Sequence, residues 1–221
     1  MALLAFISYS HKDRRLAGLI KSGLEAFGFN IFLAHEDLTP SAEWQATILR
    51  KLKACHILLP LITKQFHGSA WTDQEVGAAV ILKKCIVPLK VGNDPYGFMG
   101  KFQAQKITLR NEVAIEKYCW RIVRSLCEHR RLAEDIKDAL VERFVDSRSY
   151  SESARVAEYL LNVNDFTAGQ LDKIVTGATE NSQIYNGFVA RRFVDDLARK
   201  ERKRISKTIL VGYRRIRSNA S

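Results

Sequence analysis

The chain is poor in the residues that staple or interrupt small folds: its 221 residues include 4 Cys, 4 Pro and 2 Met. Cys55, Cys85, Cys119 and Cys127 show no C-x-x-C spacing and sit in apolar or helical contexts. That pattern predicts buried thiols in a reducing compartment, not disulfides or zinc ligands. Long apolar runs are lacking too; a stretch such as Val76–Leu82 is far below the roughly 20 residues that span a bilayer. With 47% apolar and 27% charged residues, the chain is not in the range of disordered sequences. Met1–Phe6 has no basic segment ahead of its apolar residues, so no secretory signal is read and a cytoplasmic location is expected.

Several catalytic fingerprints are absent. There is no G-x-G-x-x-G and no G-x-x-x-x-G-K-[ST], which excludes the ordinary dinucleotide and nucleoside-triphosphate cradles. Neither G-x-S-x-G nor H-E-x-x-H occurs, which removes the common serine hydrolases and zinc proteases. His11, His35, His56 and His67 lack metal-ligand spacing, so no metal is expected.

What is abundant is positive charge, and it is unevenly placed. The net charge is +11, yet residues 191–221 hold eleven Lys/Arg against three acids, leaving +3 for the first 190 residues. A basic tail suits nucleic acid or an anionic membrane. Against this, Ile205, Ile209, Tyr213 and Ile216 recur at helical spacing, which reads as an amphipathic helix with a solvated basic face.

Short apolar runs alternate with helical patterns over the first 130 residues. Leu3–Tyr9, Phe29–Leu33, Ile57–Ile62 and Cys85–Val91 read as strands, with a fifth at Ile107–Leu109. Between them lie helices marked by Leu16, Leu19, Ile20, Leu24 and Phe27, then by Ile48, Leu49 and Leu52, then by Val76–Leu82. A further helix carries Ile115, Cys119, Ile122 and Leu126. The alternation predicts a parallel sheet of about five strands with flanking helices, locally weakened by Pro60 and Pro88. Residues 131–221 read as a separate helical region: Leu132, Ile136, Leu140 and Phe144 recur every four residues, and Ser147–Ser151 resembles a linker. Thr167 and Gln170 form a capping box ahead of Leu171, Ile174 and Val175, and Phe188, Phe193, Val194 and Leu197 continue the apolar pattern.

In such a sheet the strand-to-helix loops share the carboxyl edge, where ligands bind. That edge would gather Ser10, His11, Glu36, Asp37, Trp71 and Glu75 from three loops. Helix starts there offer backbone N–H groups to an anion such as a pyrophosphate.

Five segments occur in register on this alternation: Phe6-Ile7-Ser8-Tyr9-Ser10, Gly28-Phe29-Asn30-Ile31-Phe32, Glu36-Asp37-Leu38, Trp71-Thr72-Asp73-Gln74-Glu75 and Ile86-Val87-Pro88-Leu89. Together they resemble the Toll/interleukin-1 receptor (TIR) domain over residues 1–130, and the short form is similar to bacterial NAD-consuming members of antiphage systems such as Thoeris. The resemblance implies a flavodoxin-like TIR fold, followed here by the α-helical extension. It also implies NAD+ as substrate with no separate cofactor, self-assembly through TIR–TIR contacts, and a downstream effector sensing an ADP-ribose product. Trp71-x-x-x-Glu75 corresponds to the W-x-x-x-E element, which makes Glu75 the catalytic glutamate. Tyr9, Ser10, His11, Glu36, Asp37 and Trp71 take substrate-binding positions, with Glu36 and Asp37 in the loop that gates the site and mediates assembly. At Ser10-His11 the sequence departs from the family pattern.

The chemistry is coherent on physical grounds. Breaking the nicotinamide–ribose bond develops positive charge on the sugar, and one carboxylate beside the ribose hydroxyls stabilises it, because nicotinamide leaves without protonation. Plainer roles compete: Thr72-x-x-Glu75 is also a capping box, Trp71 a groove aromatic, Glu36-Asp37 a solvated turn, and Tyr9 a strand residue. A non-enzymatic TIR scaffold is the alternative function.

Overall fold

The computed structural model describes residues 3–33, 44–69, 71–108 and 112–218, without the side chains of residues 44 and 112–114. The chain forms two compact units, Met1–Val123 and Arg124–Ser221.

The first unit runs β1 (Leu4–Ser8), α1 (Arg14–Glu25), β2 (Asn30–Leu33), α2 (Trp44–Ala54), β3 (Ile57–Ile62), α3 (Thr72–Ile81), β4 (Cys85–Ile86), β5 (Leu89–Lys90), β6 (Gln105–Lys106) and α4 (Glu112–Leu126). All strand pairs are parallel, in the order β2-β1-β3-β5-β6, with β4 also on β3. The alternation predicts the parallel sheet with flanking helices; with β4 and β5 taken as one interrupted strand, the order is the flavodoxin-like winding that the resemblance implies.

Period-two geometry sorts the side chains. Phe6, Phe32, Leu58, Ile62 and Ile86 share one face of the sheet and pack with Ile48 and Leu52 of α2 and Val76 and Ala79 of α3. Phe6 and Phe32, level in the register, have ring centroids 5.1 Å apart. Beyond the opposite face α1 and α4 pack closely: a Cβ built on Gly23 would lie 2.6 Å from Cys119 Sγ. His56 has a structural role, its Nδ1 accepting from Leu4 N–H (3.1 Å) while its own N–H donates to the Leu4 carbonyl (2.8 Å).

The expected strand Cys85–Val91 is two short strands. Ile57 pairs with Cys85 and Leu61 with Leu89, a constant offset that sets Pro60 level with Pro88. Neither proline has an N–H, so the ladder breaks where both fall. On its other side Pro60 is still in register with Ser8, so β3 continues through it. The expected fifth strand at Ile107–Leu109 instead pairs through Gln105 and Lys106, and Leu109 lies outside the described residues.

The second unit is helical: α5 (Ala133–Val145), α6 (Tyr150–Leu160), α7 (Ala168–Glu180), α8 (Ser182–Tyr185), α9 (Phe188–Lys200) and α10 (Lys207–Ser218). Helix α7 packs against α5, α9 and α10, and α6 against α5 and α9. Phe144 meets Phe193 edge-on at 5.5 Å. The Thr167–Gln170 capping box forms as expected. Ser147–Ser151 is not a linker: Ser147 is buried, Ser149 Oγ caps α6 by accepting from Glu152 N–H at 3.2 Å, and the helix begins at Tyr150. Phe188 belongs to α9 but is 68% exposed, so it leaves the predicted apolar face. Helix α10 buries Leu210 and Tyr213, whereas Ile205 is buried just ahead of it.

All four cysteines are buried thiols, and burial pushes Cys55 and Cys127 up to about 11 and Cys119 to about 12. The contact at Gly23 is open to test. Gly23→Ala is expected to destabilise the protein by about 1–3 kcal/mol in denaturant titrations, despite alanine's better helix propensity. Adding Cys119→Ala should recover part of the loss through coupling between the two sites.

Candidate active site

The chain winds outward in opposite directions from β1 and β3, so their carboxyl ends form the switch point of the sheet, the usual position of a ligand crevice. Ser8 closes β1. Its even position puts its side chain on the face that carries Phe6, beneath α3, and there Ser8 Oγ donates to Glu75 Oε2 at 2.5 Å. Ser8 is fully buried and Glu75 is 3% exposed. The other carboxylate oxygen, Oε1, is buried with no hydrogen-bond partner among the described residues.

That environment changes the acid. Burial pushes the Glu75 carboxyl up from 4.5 to about 7, and the Ser8 hydrogen bond only partly opposes the shift. The first turn of α3, in which Glu75 lies, favours the anion through the helix dipole. A carboxyl with one oxygen held and the other unpartnered can accept a hydroxyl from a ligand.

The capping-box role for Glu75 is overturned. Trp71 is the N-cap of α3 and no side chain caps it. Thr72 lies inside the helix, and its hydroxyl donates backward to the carbonyls of Phe66 (2.8 Å) and Ser69 (3.2 Å). This ties the start of α3 to the turn after β3 and leaves the Glu75 side chain directed to Ser8.

A second contact joins the same two strand ends. Thr63, immediately after β3, donates through Oγ1 to Asp13 Oδ2 at 2.6 Å and accepts from Gln65 N–H at 3.1 Å. Asp13 closes the turn after β1, its N–H donating to the Ser10 carbonyl at 2.7 Å. Ser10 is buried at 8% exposure, and His11 is exposed on the short turn His11–Asp13. Trp71 is half-buried. Tyr9 is fully buried, and the alternation that gives Ser8 to the α3 face assigns Tyr9 to the opposite one. Glu36 and Asp37 lie outside the described residues. Further along the edge, Tyr96 donates to Asp73 Oδ1 at 2.6 Å, and the His67 ring meets Tyr96 edge-on at 4.6 Å.

Ser8, Asp13 and Thr63 were not among the sequence candidates. The available signal was a lone hydroxyl, Ser8, at a core-facing position of an otherwise apolar strand.

Residues 5–119, just over half of the chain, match the family model described as TIR domain. No curated protein matches the chain.

The raised pKa sets the direction of a stability test. A carboxyl whose folded value lies above its unfolded one stabilises the fold fully below about pH 4.5, and that contribution is lost as the pH rises to 7. The stability of Glu75→Gln relative to the parent should therefore climb by about 3 kcal/mol between pH 4 and pH 8, measured by denaturant titration.

Proposed function

Because the chain belongs to the TIR domain family, we propose that its first unit cleaves the nicotinamide–ribose bond of NAD+, with Glu75 as the catalytic carboxylate. The observation that carries this reading is the Glu75 carboxyl: buried at the sheet's switch point, held at Oε2 by Ser8, and without a partner at Oε1 among the described residues. A ribose hydroxyl donating to Oε1 would satisfy the orphaned oxygen and set the negative charge beside the carbon that becomes cationic. In a site shielded from water that charge acts at low effective dielectric, which strengthens it. The substrate's own nicotinamidium charge favours ionised Glu75 on binding.

Ser8 acts as a positioning residue, limiting the carboxylate's rotation. Ser10, His11 and Trp71 are substrate-contact residues in this reading, together with Glu36 and Asp37 from the loop after β2. Tyr9 contributes from beneath, as part of the support of the edge. The products are nicotinamide and ADP-ribose or its cyclic form. Resemblance to stand-alone bacterial TIR proteins supports a role in antiphage signalling, in which an effector senses the product and TIR–TIR contacts complete the site.

A scaffold reading has its own observation: Ile81 is 81% and Phe98 65% exposed on the first unit, apolar surface suited to assembly. Nicotinamide release by purified protein, assayed dilute and concentrated, separates the two. Glu75→Gln should lower turnover by about a hundredfold or more at both concentrations. Turnover unchanged by that substitution would reject the assignment, and assembly without turnover would favour the scaffold.

The pH profile gives a second check. As a carboxylate that must ionise, Glu75 should make kcat/KM rise with pH through about 7 in the free enzyme. Ser8→Ala removes a hydrogen bond that favours the anion, so the rising limb should move to higher pH; a residue that merely supported the fold would lower activity without moving that limb.

A further inference from the structure

The C-terminal unit has a groove of about 580 Å³ between α9 and α10 whose walls are arginines. Arg199 and Arg202 line it from α9 and the turn beyond, and Arg214 and Arg217 from α10. Its floor is the buried surface of Ala198, Leu210 and Tyr213.

The charges are arranged, not merely crowded. Asp195 is the one acid lining the groove among the described residues, and it is engaged: it accepts from Tyr213 Oη at 2.8 Å and from Arg217 Nε and Nη2 at 3.2 and 3.0 Å. A guanidinium held through two of its nitrogens has a fixed plane. Arg199 pairs with Asp196. Arg202 and Arg214 are exposed and have no acidic partner among the described residues. The neighbouring acids Asp196 and Glu201 line a different cavity with Lys200 and Arg204, and Glu201 pairs with Arg204 at 3.1 Å. Asp196 and Glu201 thus do not line the groove.

We propose that this groove binds the sugar–phosphate backbone of a nucleic acid. Guanidinium forks match phosphate oxygens bidentately, and the groove lies within the segment that holds eleven Lys/Arg against three acids, a field that steers a polyanion. Exposed Lys203, Lys207 and Arg215 extend that field beyond the groove. A helix lying in a membrane needs an uncovered apolar face. Helix α10 has buried its own, Leu210 and Tyr213, and Val211 is its one exposed large apolar residue. Tyr213 is 4% exposed and its hydroxyl is engaged, so it offers no stacking surface to a base. Binding is therefore to the backbone and carries no sequence preference. It is independent of the reaction proposed for the first unit.

The test titrates the full chain into fluorescein-labelled DNA of mixed sequence, single-stranded and duplex, by fluorescence anisotropy at several salt concentrations. Affinity for duplex should fall with a log–log salt slope of about −3, as for three or four neutralised phosphates. Replacing Arg202 and Arg214 together by Ala should make the slope shallower by about two and weaken low-salt binding by about tenfold or more. Both side chains are exposed, so the melting curve should match the parent's and show that the fold is intact. A matched loss of charge at exposed Arg130 and Arg131, outside the groove, should leave affinity within about twofold. The proposal is overturned if that control weakens binding as much, if no DNA binds at low salt, or if phosphatidylserine vesicles are bound and DNA is not.

Discussion

A serine hydroxyl donating to a buried glutamate is the contact on which the first unit's candidate chemistry depends. It spans 67 positions of sequence, so it exists only if β1, β3 and α3 are all in register. Each element contributes a local reason. Alternation along β1 turns Ser8 toward α3, and Thr72 reaches back to the preceding turn and anchors the helix start. The cost is desolvation of a carboxyl, which holds its proton up to about pH 7 and leaves one oxygen without a partner among the described residues. A carboxyl that only stabilised the fold would be better buried with both oxygens satisfied, or replaced by an apolar residue. Strained polar groups of this kind accumulate where binding or catalysis needs them.

The sheet edge is built to present that contact. Thr63 and Asp13 tie the turn after β1 to the end of β3, so the two loops flanking the switch point are joined by a direct hydrogen bond. The paired prolines break the β3 ladder on the side away from β1, leaving the β1–β3 pairing intact where Ser8 must be placed.

The second unit follows a different logic. Its helices bury ordinary apolar faces, and its distinctive feature is the partition of charge along α9. Asp195 orients Arg217 and Tyr213 on one side; Asp196 pairs with Arg199 and Glu201 with Arg204, and Asp196, Glu201 and Arg204 line the other side. Position along the helix therefore decides which arginines remain available to a polyanion.

Composition and periodicity alone determined the parallel α/β class, the helical character of the C-terminal region, the Thr167–Gln170 cap and the concentration of positive charge in the last 31 residues, because each depends on residues close in sequence. Glu75 was legible through its spacing from Trp71, but its role was not: the same Thr72-x-x-Glu75 pattern serves a helix cap equally well. Only the tertiary structure removed the cap, since Trp71 is the N-cap of α3 and the Glu75 carboxyl is held by Ser8. It also decided where the prolines split a strand, that Ser149 caps a helix, and which arginines Asp195 orients. Those outcomes depend on groups brought together by packing, whose distances no local pattern encodes.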